Sequence, residues 1–233
     1  MKTTPLLQLA PLLCLSAIII QAATPVIVDD FTGPAPDSRW KTSAGCITTN
    51  GTLVMQNAAT ETSKDRTQGL VYTDNLQRLN FLKTPVTIEI GTLDIQGTAS
   101  PQNSVFMLYL ADNKNVSAAN YALQLRIDGG GTAVLWLYAK SVDRPAQKRT
   151  QLAFLPCILP LEKITLTFNS GSSVITLKDA SGEQGKAFEL TPLIDPVRWE
   201  QPEYHLLIQG VTKNDSGTTL ISLGKISVIS GEN

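Results

Sequence analysis

The sequence has a single histidine, His205, and only three cysteines among 233 residues. One imidazole excludes a site built on two or more histidines, and no Cys/His spacing matches a zinc cluster. Charge is scarce as well as balanced. Nineteen Lys+Arg stand against 20 Asp+Glu, a net charge of −1, and no basic cluster provides an electrostatic footprint for nucleic acid. There is no Gly-x-Ser-x-Gly elbow, and Asp128-Gly129-Gly130-Gly131 lacks the Lys-Ser/Thr of a phosphate loop. A Ser-His-Asp triad would have to use His205, and nothing in the sequence supplies its serine. In Tyr204–Gln209 that histidine shares a strand face with Leu207 and Gln209, as a structural or surface side chain would. Hydrophobics, by contrast, make up 42% and are spread along the chain, enough apolar surface to offset chain entropy and exclude disorder.

Long apolar runs are almost missing too. The one that occurs, Leu6 to Ile20, is interrupted by Gln8, Pro11 and Ser16 and is shorter than the roughly 20 apolar residues a membrane span needs. Lys2 precedes it and Ile20-Gln21-Ala22 follows with a usable cleavage pair, so residues 1–22 read as a signal peptide cut after Ala22, with Ala23 a close alternative. Leu12-Leu13 ahead of Cys14 is a poor lipobox. The expectation is a secreted, periplasmic or cell-surface protein with no membrane attachment after cleavage. Export leaves Cys46 and Cys157, an even pair in an oxidising compartment. A disulfide between them would close a loop of more than a hundred residues and contribute about 4 to 5 kcal/mol. The alternative is two thiols that never come within bridging distance.

From residue 23 to 233 short β-type runs alternate with turn clusters such as Asn169-Ser170-Gly171 and Ala180-Ser181-Gly182. Only Leu76–Leu82 and Leu190–Ile194 hold a helical period, for a turn or two each. No repeat, linker or shift in composition divides the chain. One all-β domain is expected, a two-sheet antiparallel β-sandwich with one or two short helical turns.

Pattern alone sets the register of two hairpins. If Ile127 pairs with Ala133, Leu125 meets Leu135 and Leu123 meets Leu137 on one face. The other face then carries Arg126 opposite Val134, Gln124 opposite Trp136 and Ala122 opposite Tyr138. In the second hairpin a four-residue turn at Ser170–Ser173 places Phe168 opposite Ile175 and Leu166 opposite Leu177, with Thr165 and Thr167 opposite Lys178 and Thr176. Val105–Leu110 is apolar on both faces and belongs near the middle of a covered sheet. Val86–Ile95 slips its alternation at Gly91-Thr92, as a β-bulge would.

Asp29-Asp30-Phe31 on a first strand, Trp40 shortly after, the long Val86–Ile95 run, the late Ile164–Phe168/Val174–Lys178 hairpin and the closing Ser222–Val228 strand together resemble the concanavalin A-like lectin/glucanase superfamily. The resemblance implies a jelly roll whose concave face often binds polysaccharide. Its glucanase branch sets acidic residues alternately along one strand as Glu-x-Asp-x-Glu. The corresponding stretch here has only Glu89 and Asp94, which approach 16 Å apart at about 3.3 Å per residue. That is too far for the roughly 5 to 9.5 Å of a hydrolytic pair. No catalytic residue is nominated.

The polar face of the first hairpin is the candidate ligand-binding site: Gln124, Arg126, Trp136 and Tyr138 join two flat aromatics to planar hydrogen-bonding groups, the complement of a sugar's C–H face and hydroxyl rim. The alternative is that Trp136 and Tyr138 sit under a loop or in a second core layer. Glu89 could form a cross-strand ion pair with Arg126. Jelly rolls of this kind often hold structural calcium, for which Asp29, Asp30 and Asp112 are the visible donors. No twelve-residue calcium loop occurs, and neither a metal site nor a cofactor is assigned. Asn50, Asn115 and Asn214 head glycosylation sequons in expected loops. The sequence thus favours a carbohydrate-binding, non-catalytic module with a polysaccharide or oligosaccharide partner. A glycoside hydrolase of the same superfamily, or a structural surface-assembly module, are the alternatives.

Overall fold

The computed structural model describes residues 24–72, 85–141, 144–169, 172–190 and 204–230. The expected leader and both expected helical turns, apart from Leu190, lie outside them. The described chain is all-β, with one 3-10 turn at Pro101–Asn103. In chain order the strands are β1 (Thr24–Asp29), β2 (Trp40–Thr42), β3 (Cys46–Thr49), β4 (Thr52–Asn57), β5 (Arg66–Tyr72), β6 (Val86–Ile90), β7 (Leu93–Gly97), β8 (Ser104–Ala111) and β9 (Tyr121–Asp128). They continue as β10 (Thr132–Ser141), β11 (Arg144–Pro156), β12 (Lys163–Phe168), β13 (Ser173–Asp179), β14 (Gly182–Phe188), β15 (His205–Thr212), β16 (Thr219–Leu223) and β17 (Ile226–Ser230).

These strands form two large antiparallel sheets and a smaller third. The orders are β1-β17-β6-β12-β13-β14, β11-β10-β9-β8-β15-β5-β2 and β3-β4-β16-β7. Alternation explains how they pack. Leu123, Leu125, Ile127, Leu135 and Leu137 of β9 and β10 enter one core with Ile88, Ile90, Ile164, Leu166, Phe168, Ile175 and Leu177 of the six-stranded sheet. Leu53, Met55, Leu93 and Ile221 bring the four-stranded sheet into the same core. The architecture is a jelly-roll sandwich with one sheet more than expected.

The third sheet comes from glycine corners. Val86–Ile95 is not one bulged strand: β6 lies in the six-stranded sheet and β7 in the four-stranded one. The closing strand divides likewise, into β16 and β17, with β16 on β7 and β17 on β6. Both segments change sheets at one place, where the Gly91 N–H donates to the Lys225 carbonyl (2.7 Å) and the Gly224 N–H to the Thr92 carbonyl (2.8 Å). A Cβ at Gly224 would lie 3.0 Å from the Thr92 nitrogen, so this crossing admits little beyond hydrogen.

The first hairpin has the expected register throughout, Ile127↔Ala133 to Ala122↔Tyr138, extended by Asp128↔Thr132. The second is shifted by two residues: Leu166 faces Ile175, Ile164 faces Leu177, Thr165 faces Thr176 and Thr167 faces Val174. Ser173 is the reason. It is buried at the start of β13 and pairs with Phe188, so the turn begins earlier. An even shift leaves every side chain on its expected face.

Cys46 and Cys157 are free thiols, which corrects the expected disulfide. The Cys46 Sγ donates to the Gly69 carbonyl on β5 at 3.5 Å. Cys157 directly follows β11, its N–H bound to the Gly131 carbonyl at 2.8 Å. Five strand spacings separate β5 from β11, about 24 Å, against the roughly 7 Å limit between bridged Cα atoms. Burial raises the Cys46 thiol and pushes Cys157 up to about 11. At pH 8 Cys157 is then a thiolate about one part in a thousand. A chain starting after Cys14 is expected to titrate two thiols when denatured without reductant, and to react far more slowly when native. Finding none in the denatured chain would contradict the free pair.

Candidate functional site

β8 sits in the middle of the seven-stranded sheet with every residue buried. Phe106, Leu108 and Leu110 enter the main core. Val105, Met107, Tyr109 and Ala111 point outward and meet a second cluster with Ala119, Ala122, Leu207 and Val211. The chain between β8 and β9 supplies part of that cover. The Asp112 carboxylate accepts the N–H of Asn120 at 2.8 Å, and Gln147 of β11 donates to the Val116 and Ala119 carbonyls at 2.8 and 2.7 Å. Beside it lies an open cleft of about 580 Å³, floored by Tyr109, Tyr138 and Leu207, with residues 114–117 on one wall and Gln147 and Gln209 also facing it.

The four site residues occupy this outer face in different ways. Trp136 and Tyr138 are half-buried, neither sealed in nor free-standing. The Arg149 guanidinium stacks 4.2 Å above the centre of the Trp136 ring. Gln124 is only 5% exposed and is reached through its neighbours. Its Oε1 accepts from the Tyr138 hydroxyl at 2.9 Å, its Nε2 donates to the Tyr109 hydroxyl at 2.5 Å, and that hydroxyl donates to the Met107 sulfur at 3.1 Å. Burial pushes Tyr109 up to about 12, so it stays a neutral donor throughout the physiological range. Gln124 is therefore a positioning residue that fixes two phenols on the cleft floor. Arg126, half-buried, donates to the Gln102 carbonyl at 3.3 Å and lies 3.7 Å from the Asp128 carboxylate. Its expected partner Glu89 is on β6 of the other large sheet, bound to Lys163 at 2.6 Å.

Sequence reasoning missed Phe154. It pairs with Val134, which puts it on this face, and it is 54% exposed. β11 was not foreseen as a strand, so no register could place it. Asp29, Asp30 and Asp112 do not gather: Asp29 caps Phe31 and Asp37, Asp30 caps Thr32, and Asp112 holds its own loop. Among the described residues no three His, Cys, Asp or Glu side chains form a metal-binding set. Glu89 and Asp94 lie in separate sheets, and Asp94 is tied to Gln96 at 2.5 Å. Asn50, Asn115 and Asn214 are exposed in turns, and Asn115 borders the cleft.

No protein-family model matches the sequence, and no curated protein does. Solved structures do match. Lectin II from Ulex europaeus is 10% identical, with a TM-score of 0.55 over 88% of this chain and 98% of its own. LamA from Zobellia galactanivorans, determined with laminaritriose and laminaritetraose, is 10% identical with a TM-score of 0.56 over 88% of this chain and 98% of its own. An endo-1,3-β-glucanase from Streptomyces sioyaensis is 10% identical with a TM-score of 0.56 over 90% and 97%. The chain thus has the jelly-roll fold that concanavalin A-like lectins and glucanases share.

Proposed function

We propose that this protein is an exported, non-catalytic module that binds a polysaccharide or oligosaccharide on the outer face of its seven-stranded sheet. The observation that carries the reading is that Phe154, Trp136 and Tyr138 all reach solvent on one face, with Tyr138 also lining a sugar-sized cleft. Arg149 does not close the platform. A cation over an exposed ring contributes about 0.5 to 1 kcal/mol, whereas a sugar covering roughly 100 Å² of apolar ring surface gains about 2.5 kcal/mol. Arg149 is exposed and free to swing aside.

Binding is favoured over hydrolysis by the carboxylates. Among the described strand residues facing outward from this sheet, Asp128 alone is acidic, and its Oδ1 accepts the turn N–H groups of Gly130 and Thr132. A hydrolytic dyad needs two carboxyl groups about 5 to 9.5 Å apart. The fold is one that both lectins and glucanases use, so the site and not the fold decides the activity. Export rests on the leader-like residues 1–22.

A panel of neutral and acidic glycans, scored for both capture and reducing-end release, tests the proposal. Capture without release is expected. Release of reducing ends, or no capture of any glycan, would overturn it.

A further inference from the structure

On the six-stranded sheet Lys163 is paired with Glu89 at 2.6 Å, and Lys178 with Glu162 at 2.5 Å. The seven-stranded sheet leaves its cations largely unmatched. Arg126 faces Asp128 only at 3.7 Å, and among the described residues no carboxylate pairs with Arg149 or Lys213. These three come from β9, β11 and the end of β15, yet they converge over one face. Arg149 reaches back from its place opposite Tyr138 to lie over Trp136. Lys213 is half-buried, its backbone N–H held by the Asn103 carbonyl at 2.8 Å, next to the Gln102 carbonyl that Arg126 uses. After burial, Arg126 is the strongest influence lowering the Lys213 ammonium; Asp65 opposes it, and Arg149 adds a smaller lowering. The Arg126 Nε is buried without a hydrogen-bond acceptor. Three cations share this region with two carboxylates, Asp128 beside Arg126 and Asp65 near Lys213, neither of which serves Arg149, so an added anion would relieve the remaining repulsion.

We infer that the glycan this face takes is anionic, a polysaccharide bearing carboxylate or sulfate groups, and that Arg126, Arg149 and Lys213 bind those groups while the aromatics stack on its rings. This rests on the carbohydrate reading above. Arg149 has both tasks within reach, since leaving the Trp136 face for an acidic substituent frees the ring for the sugar. Guanidinium forks suit the planar oxygens of carboxylate and sulfate.

The test is calorimetric titration of the whole chain with alginate (carboxylated), dextran sulfate (sulfated), laminarin (neutral) and polyglutamate (anionic without sugar). At least one acidic polysaccharide is expected to bind about tenfold or more tightly than laminarin and polyglutamate. Its affinity should fall about tenfold between 50 and 500 mM salt. Arg149→Gln, at an exposed site, should weaken it about tenfold, and Arg126→Gln/Arg149→Gln/Lys213→Gln about a hundredfold. Laminarin binding as tightly as the acidic polysaccharides, with no salt dependence, would overturn the inference and leave the carbohydrate reading intact. Equal binding of polyglutamate would reduce the cluster to a simple ion exchanger. If no polysaccharide binds, both readings fall.

Discussion

A chain carrying Gly131→Val is expected to melt about 10 °C below the parent, a loss of roughly 3 kcal/mol. Gly131 closes the turn between β9 and β10 with φ at +80°, and a Cβ there would stand 2.3 Å from the Cys157 carbonyl oxygen. A side chain would meet two penalties. The left-handed backbone is strained for any L-residue, most of all a β-branched one. The clash is with backbone, which has no rotamer to move into, and Cys157 is itself hydrogen-bonded to the Gly131 carbonyl at 2.8 Å. The turn tethers the start of β10 to the end of β11, so the strain falls on the ribbon that carries Trp136 and Phe154. A thermal melt followed by near-ultraviolet dichroism would measure it. An unchanged midpoint would show that the turn adopts another conformation in solution.

Trp136→Ala is expected to weaken glycan binding at least tenfold while lowering the melting temperature only by a few degrees. The ring is half-exposed, so the truncated side chain leaves no sealed core cavity. Tyr138→Phe should behave differently. It keeps the ring but removes the hydroxyl that donates to Gln124, leaving the amide oxygen of a 5%-exposed glutamine short of one partner. That costs about 1 to 3 kcal/mol of stability, and affinity drops only as far as the cleft floor loosens. Glu89→Gln, on the opposite sheet, should alter neither binding nor, at an exposed ion pair, stability beyond about 1 kcal/mol. Equal loss of binding in Glu89→Gln and Trp136→Ala would place the ligand elsewhere.

What could be read from the residues follows a physical line. The β9–β10 ribbon was legible because burial of its leucines admits one register only, and that register delivered Trp136 and Tyr138 outward together. The edge strands were not. β11 reads Arg144-Pro145-Ala146-Gln147-Lys148-Arg149 before any alternation begins, and β14 carries two glycines in Gly182–Phe188. Charges, prolines and glycines are what edges use to avoid further pairing, and they erase the pattern that marks a strand. Phe154, Gln147 and Arg149 were lost with β11, so half of the candidate face stayed hidden. The disulfide failed for a different reason. Compartment and an even count bear on whether cysteines oxidise, while the distance between two sheet positions is a property of strand order that local sequence does not carry.

The most direct check of the binding face follows the indole N–H resonances of the three tryptophans while the whole chain is titrated with the glycan that the panel selects. Trp136 should shift saturably, with the same Kd as calorimetry, and buried Trp40 should stay in place. Saturable heat with a stationary Trp136 resonance would put the sugar on some other surface.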